Sequence, residues 1–226
     1  MLNKLKPTIA VIDSGIGGIS VLNQLLLKFK TGNYIYFADN LFMPYGNKSA
    51  KFVKTRVEEI IESLNKNYQP DYVIVACNTA SSVIDKAKYN NVLTIEFNKS
   101  NPILATNLTS KQLAGFHVIA DKNLANLIEK YIDDKNKMKQ IIKNKVKLHN
   151  LSQYKSITLG CTHYELAKKL FESFCPNTIF KLNSKNLVES INFEPKQAFL
   201  TIKLLFSKKD ENYQQTILKL INKPSI

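Results

Sequence analysis

A chain of 226 residues can form one large domain or two small ones, and its balance of 44% apolar to 22% charged residues excludes a disordered or fibrous polypeptide. No run approaches the roughly 18 apolar residues of a membrane helix, and Asp13 and three glycines break the apolar N-terminal run before any cleavage site, so a mature, cytoplasmic protein with no membrane partner is expected. A net charge of +14 invites a nucleic-acid reading, but Arg56 is the single arginine among 32 basic residues, and base readout and phosphate clamps favour arginine. The lysines are scattered through a chain also rich in Asn and Ile, which points to compositional bias rather than to a specific nucleic-acid partner.

Short apolar runs at 8–12 and 34–37 read as strands. Val53, Val57, Ile60, Ile61 and Leu64 then recur with the spacing of an amphipathic helix that Ser49 can cap. Strands follow at 72–76 and 92–95, and the strand–helix–strand order implies right-handed crossovers and a parallel sheet. The pattern restarts with a strand at 116–120, passes through a lysine-rich helical region, and returns to a strand at 156–159 followed by a helix. Pro195 suits the first turn of a helix, and the tail to Leu220 reads as helical, packing back on the first unit. The fold class is α/β, with residues 1–97 and 186–226 forming a first domain and 98–185 a second, smaller one.

In open parallel sheets ligands bind beyond the carboxyl ends of the strands. There the sequence places Asp13-Ser14-Gly15-Ile16-Gly17-Gly18, then Asp39 and Pro44-Tyr45-Gly46, then Cys77-Asn78-Thr79, and late in the chain Cys161-Thr162-His163. The two cysteine segments resemble each other: an apolar run, a small residue, a cysteine, two polar residues and a helix. A thiol at a helix start meets unpaired N–H groups that favour thiolate over the usual pKa of about 8.5. The same N–H groups, with Asn78, Thr79 and Thr162, can hold carboxylates. One thiol on each face of a pocket suits removal of a proton from an amino acid's α-carbon and its return to the opposite face. A lone cysteine after a buried strand is more often a core residue; two in matching contexts carry the argument. Cys175 lacks that context and reads as packing, and the three cysteines form no disulfide or paired zinc pattern.

Two other chemistries compete. Gly15, Gly17 and Ser20 imitate a dinucleotide-binding G-x-G-x-x-G, with Asp39 near the acidic position about 20 residues on; the carboxylate of Asp13 would repel a pyrophosphate there. A zinc site from Cys77, Cys161 and His163 lacks paired-ligand spacing.

Together, Ile12–Gly18, Pro44–Gly46, Ala76–Ser81 and Leu159–Tyr164 closely resemble, in order, the signatures of the glutamate racemases. The resemblance implies two pseudo-symmetric α/β domains closing over the substrate, no cofactor and no metal, glutamate as substrate, and supply of D-glutamate for peptidoglycan; it is compatible with a homodimer. Cys77 and Cys161 become the alternating proton donor and acceptor, with Asp13 assisting Cys77 and His163 assisting Cys161. Ser14, Tyr45, Gly46, Asn78, Thr79 and Thr162 join Asp13 and His163 in binding the substrate. Aspartate racemisation, or amino-acid or partner binding without turnover, are the alternatives. Three departures fall in the second half. The interval between the cysteines is short, Asp121-Lys122-Asn123 stands where a threonine-rich substrate loop is expected after the strand at 116–120, and a glutamate-bearing segment with a Cys-Pro start is missing, leaving Cys161 without an acidic partner.

Overall fold

In the computed structural model, which describes residues 7–192 and 199–221, the chain runs from β1 (Thr8–Asp13) through α1 (Ile19–Phe29) to β2 (Gly32–Ala38). It continues through α2 (Ala50–Tyr68), β3 (Tyr72–Val75), the one-turn α3 (Asn78–Ser81) and β4 (Val92–Thr94). A second series follows: β5 (Ile103–Thr106), α4 (Asn107–Gln112), β6 (Val118–Asp121), α5 (Leu124–Tyr131), α6 (Lys135–Leu148), β7 (Ser156–Gly160), α7 (Thr162–Leu166), α8 (Lys168–Phe174) and β8 (Ile179–Leu182). After α9 (Lys185–Ser190) come β9 (Leu200–Phe206) and α10 (Glu211–Leu220). No helix among the described residues is long and apolar enough to cross a membrane.

The strands form two sheets in which every described pairing is parallel, ordered β4-β3-β1-β2-β9 and β6-β5-β7-β8. Read in the opposite direction, the second order is β8-β7-β5-β6. Setting β5 on β1, β6 on β2, β7 on β3 and β8 on β4 superimposes the two topologies, with β9 added to the first. The sheet interiors are apolar on both faces, as parallel sheets require: Ile9 to Ile12 of β1 are all fully buried. In α2 the five residues of the expected stripe are the buried ones, and Ser49 Oγ accepts from Phe52 N at 3.1 Å to cap its start.

The tail differs from the sequence reading. Pro195 lies outside the described residues, and 200–206, expected to be helical, is strand β9, paired residue for residue with β2 from Gly32↔Leu200 to Ala38↔Phe206. Local propensity there is undecided, and the exposed edge of β2 settles it by supplying a hydrogen-bonded partner. Strands β5 and β8 are also additions to the sequence reading, each only four residues long. The strand expected at 116–120 is β6, two residues further on.

Candidate active site

Cys77 follows β3 and Cys161 follows β7, so the two thiols occupy equivalent positions of the repeated topology, each heading a short helix and each 6% exposed. Cys77 Sγ lies 3.9 Å from Ser14 Oγ, and Cys161 Sγ lies 3.9 Å from His163 Nδ1. Asp13, at the end of β1, joins the halves: its Oδ1 accepts from Gly15 N at 3.0 Å and its Oδ2 from Thr162 Oγ1 at 2.9 Å.

Burial dominates the electrostatics. It pushes the Asp13 carboxyl up to about 6, against the opposing pull of His163, the Gly15 N–H and the Thr162 hydroxyl. Burial and the charge of Asp13 together push the Cys77 thiol well above its ordinary range, and the Ala80 N–H offsets only part of this. The expectation that a helix start would favour thiolate at Cys77 is thus reversed, because a single turn carries too little macrodipole to offset desolvation. Burial also opposes charge on His163, yet the Glu129 carboxylate and Cys161 outweigh it and hold the imidazole pKa well above its usual value.

Asn78 and Thr79 stand beside Cys77. Among the described residues both polar side-chain atoms of Asn78 are buried without a hydrogen-bond partner, which is uncommon for a buried amide. Thr79 Oγ1 lies 3.0 Å from Thr106 Oγ1 and 3.2 Å from Thr109 Oγ1. Gly46 presses against the same cluster, where an added Cβ would stand 2.7 Å from Thr106 Cβ. Tyr45 is buried as expected near the site, but its hydroxyl is committed to Asp39 Oδ2 at 2.6 Å, and the Arg56 guanidinium grips both oxygens of that carboxylate at 3.0 and 2.9 Å. Asp39 is therefore a structural anchor for the Tyr45 loop rather than a ribose ligand.

The glycines of the first loop have a spatial reason. A Cβ on Gly17 would fall 2.5 Å from both Thr162 Oγ1 and His163 Nδ1, and one on Gly15 would fall 2.6 Å from Glu129 Oε2. Their bareness lets the second half's polar groups approach the first, which accounts for the G-x-G pattern without a dinucleotide. Among the described residues no group of three His, Cys, Asp or Glu side chains is arranged to hold a metal ion.

The chain is similar to proteins of known identity. A glutamate racemase of Buchnera aphidicola subsp. Schizaphis graminum is 33% identical over 189 residues, covering 70% of this chain and 73% of its own, and one of Clostridium acetobutylicum is 33% identical, covering 71% and 73%. The chain belongs to the glutamate racemase family. No family model matches it. Among solved structures, the Escherichia coli glutamate racemase in complex with L-glutamate and the activator UDP-MurNAc-ala aligns with TM-score 0.76 at 24% identity over 95% of both chains. That of Campylobacter jejuni aligns with TM-score 0.76 at 23% identity over 95% of this chain and 98% of its own.

The racemase fold also supplies what the sequence reading found missing. Glu129 of α5 is hydrogen-bonded through Oε2 to His163 Nε2, and both side chains are buried. The acidic partner is present in a segment without a Cys-Pro start. Asp121 heads that segment, accepting from Asn123 N at 2.9 Å and Leu124 N at 2.7 Å, and so fixes the start of α5. A threonine pair also stands at the end of β5, the strand equivalent to β1: Thr106 ends the strand, Thr109 lies in α4, and both hydroxyls meet that of Thr79. In sequence, Glu129 is one charged residue on an amphipathic helix. Thr106-x-x-Thr109 was readable only had Ile103–Thr106 been taken as a strand.

Proposed function

We propose that this chain is a cofactor-independent glutamate racemase that interconverts L- and D-glutamate by two-thiol proton transfer and supplies D-glutamate for peptidoglycan in the cytoplasm. The observation carrying this reading is the equivalent placement of Cys77 and Cys161 at the ends of β3 and β7, one from each sheet and both buried among polar groups that belong to neither core. One thiolate takes the α-proton while the opposite thiol delivers its own to the other face, and the roles exchange in the reverse direction. Asp13 and Ser14 serve Cys77; His163, backed by Glu129, serves Cys161 through Nδ1. Asn78, with its unpaired amide, and Thr79, Thr162, Ser14 and Gly46 receive the substrate's carboxylates and ammonium group, while Tyr45 shapes the loop that carries Gly46.

The high thiol pKa of Cys77 fits a site that acts only when loaded. A substrate ammonium group placed near Asp13 offsets the negative charge that disfavours thiolate, so binding itself makes the base available. The presence of Glu129, Thr106 and Thr109 supports an active enzyme over a relative that binds without turnover. We further assign residues 1–97 with 186–226, and 98–185, as the two bodies that open and close.

Purified protein without added cofactor is expected to exchange the α-hydrogen of either glutamate enantiomer with solvent deuterium, and to do so more efficiently than with aspartate. Cys77→Ala and Cys161→Ala should each abolish racemisation. Full racemisation by either variant would sink the two-thiol mechanism, and preferential exchange of aspartate would reassign the substrate.

A further inference from the structure

Glu129 accepts three hydrogen bonds, and only one comes from its own half. Besides His163 Nε2, the carboxylate receives Ile16 N at 3.1 Å from the glycine loop after β1, and Tyr213 Oη at 2.6 Å from α10. Tyr213 belongs to the returning tail, which joins the first sheet through β9. Its position is fixed on several sides. Tyr213 N is capped by Asp210 Oδ1 at 3.0 Å, its ring meets Phe206 edge-on at 6.0 Å, and the Leu220 carbonyl at the far end of α10 accepts from Asn23 of α1 at 2.9 Å. None of the motifs that identify the family includes this tyrosine.

We propose that Tyr213 is a positioning residue of the racemase site, a first-half hydroxyl that aligns Glu129, and through it His163 and Cys161, when the two halves meet. The inference rests on the racemase reading for its kinetic consequence but not for the relay itself. A carboxylate holding a tyrosine hydroxyl on one oxygen and a backbone N–H on the other cannot rotate. It presents a fixed lone pair to Nε2, so that ring nitrogen is the donor and Nδ1 faces Cys161. Burial and the charge of Glu129 drive the Tyr213 hydroxyl far above its ordinary pKa, so it remains a donor at every working pH. Because the hydroxyl and Glu129 come from different halves, the relay is assembled only in the closed arrangement.

Tyr213→Phe removes one oxygen and keeps the ring. The direct test is 15N-histidine NMR, tractable because the chain has three histidines. The ring-nitrogen signals of His163 in wild type should shift or broaden in Tyr213→Phe, with those of the other two histidines unchanged. In parallel, kcat should fall roughly tenfold, as for loss of a hydrogen bond to a charged group, with KM changed far less. The decrease should vanish in a Glu129→Gln background, where there is no carboxylate to align. Thermal unfolding of each variant reports whether the tail stays folded. Should Tyr213→Phe unfold it, Tyr213→His, which keeps a donor near the same place, should restore part of the lost rate in a folded protein. An unchanged His163 signal in Tyr213→Phe, or an equal rate loss with and without Glu129, would overturn the relay. A wild type that shows the Tyr213-dependent signal but no racemisation would overturn the racemase reading and leave the relay standing.

Discussion

His163 shows most clearly how single residues set the chemistry here. Desolvation alone would strip its charge, and Glu129 restores it. The imidazole stands 3.9 Å from Cys161 Sγ, the position that the proposed assisting role requires of a positive charge. Replacing His163 by Asn removes that charge, so the part of the kcat/KM profile that rises with pH should move to higher pH. Enantiomers have equal free energy, which forces kcat/KM to be the same in both directions for wild type and every variant. The loss must therefore appear equally from L- and from D-glutamate, by roughly tenfold or more at neutral pH for a general acid–base group. An unshifted profile in His163→Asn would refute the assisting role while leaving the two thiols untouched. The residues that sequence alone could assign, Asp13, Cys77, Cys161 and His163, share one property: each sits in a contiguous motif at a strand end. Glu129 and Tyr213 act from helix faces whose only local signal is amphipathic periodicity, and their partners lie 34 and 84 residues away. Periodicity shows that a side chain is on the margin of a buried face but not what it meets there.

Elements tell the same story at larger spacing. The strand–helix–strand order of the first sheet was legible from the stripe and cap of α2, whereas β5 and β8 are recognisable only once the doubling of the topology is known. Thr106 and Thr109 gain their place at a strand end only once β5 is seen, and the tail, helical by its sequence, completes the first sheet as β9. α7 adds a group that neither the motif nor the mechanism uses. Glu165 is 1% exposed and accepts from Ser184 N at 3.0 Å, Ser184 Oγ at 2.7 Å and Ser20 Oγ at 3.0 Å, tying α7 to α1 and to the start of α9. Burial raises its carboxyl from an ordinary 4.5 to about 7, more than those hydrogen bonds lower it. A folded pKa above the unfolded one means that the linked stability is fully present below pH 4.5 and is lost as pH rises through about 7. The loss amounts to ~3 kcal/mol for a shift of this size. Glu165→Gln, which stays neutral, should therefore unfold like wild type in acid and at a higher temperature than wild type at pH 8. A stability gap that does not widen between those conditions would show that Glu165 is ionised throughout and that its three donors outweigh burial.

At the scale of the whole molecule, the chemistry is enclosed. Cys77, Cys161, Asp13, Asn78, Thr79, Thr162 and His163 are all buried, which in the proposed mechanism requires the two bodies to part before substrate enters. Polar bonds run between the two halves, Asp13 to Thr162, Glu129 to Ile16 and Tyr213, Thr79 to Thr106 and Thr109, and Ser20 to Glu165, beside an apolar core to which both halves contribute. Gly17 tests this arrangement at the point where the first half's loop meets Thr162 and His163. Its Cβ would lie 2.5 Å from Thr162 Oγ1 and His163 Nδ1 and 2.8 Å from the His163 backbone nitrogen, and the last cannot give way. The backbone of Gly17 is outside the left-handed region, so alanine is acceptable there in the open state. Gly17→Ala should thus fold with both cores intact yet disfavour closure, lowering kcat/KM by at least tenfold, since each 1.4 kcal/mol lost from the closed state is a factor of ten. Glutamate binds most tightly to the closed form, so the rise in Tm that saturating glutamate gives the wild type should be much smaller in Gly17→Ala. Undiminished activity together with an undiminished ligand-induced Tm shift would mean that the halves need not meet at Gly17, and that proton transfer occurs in a more open cleft than this one.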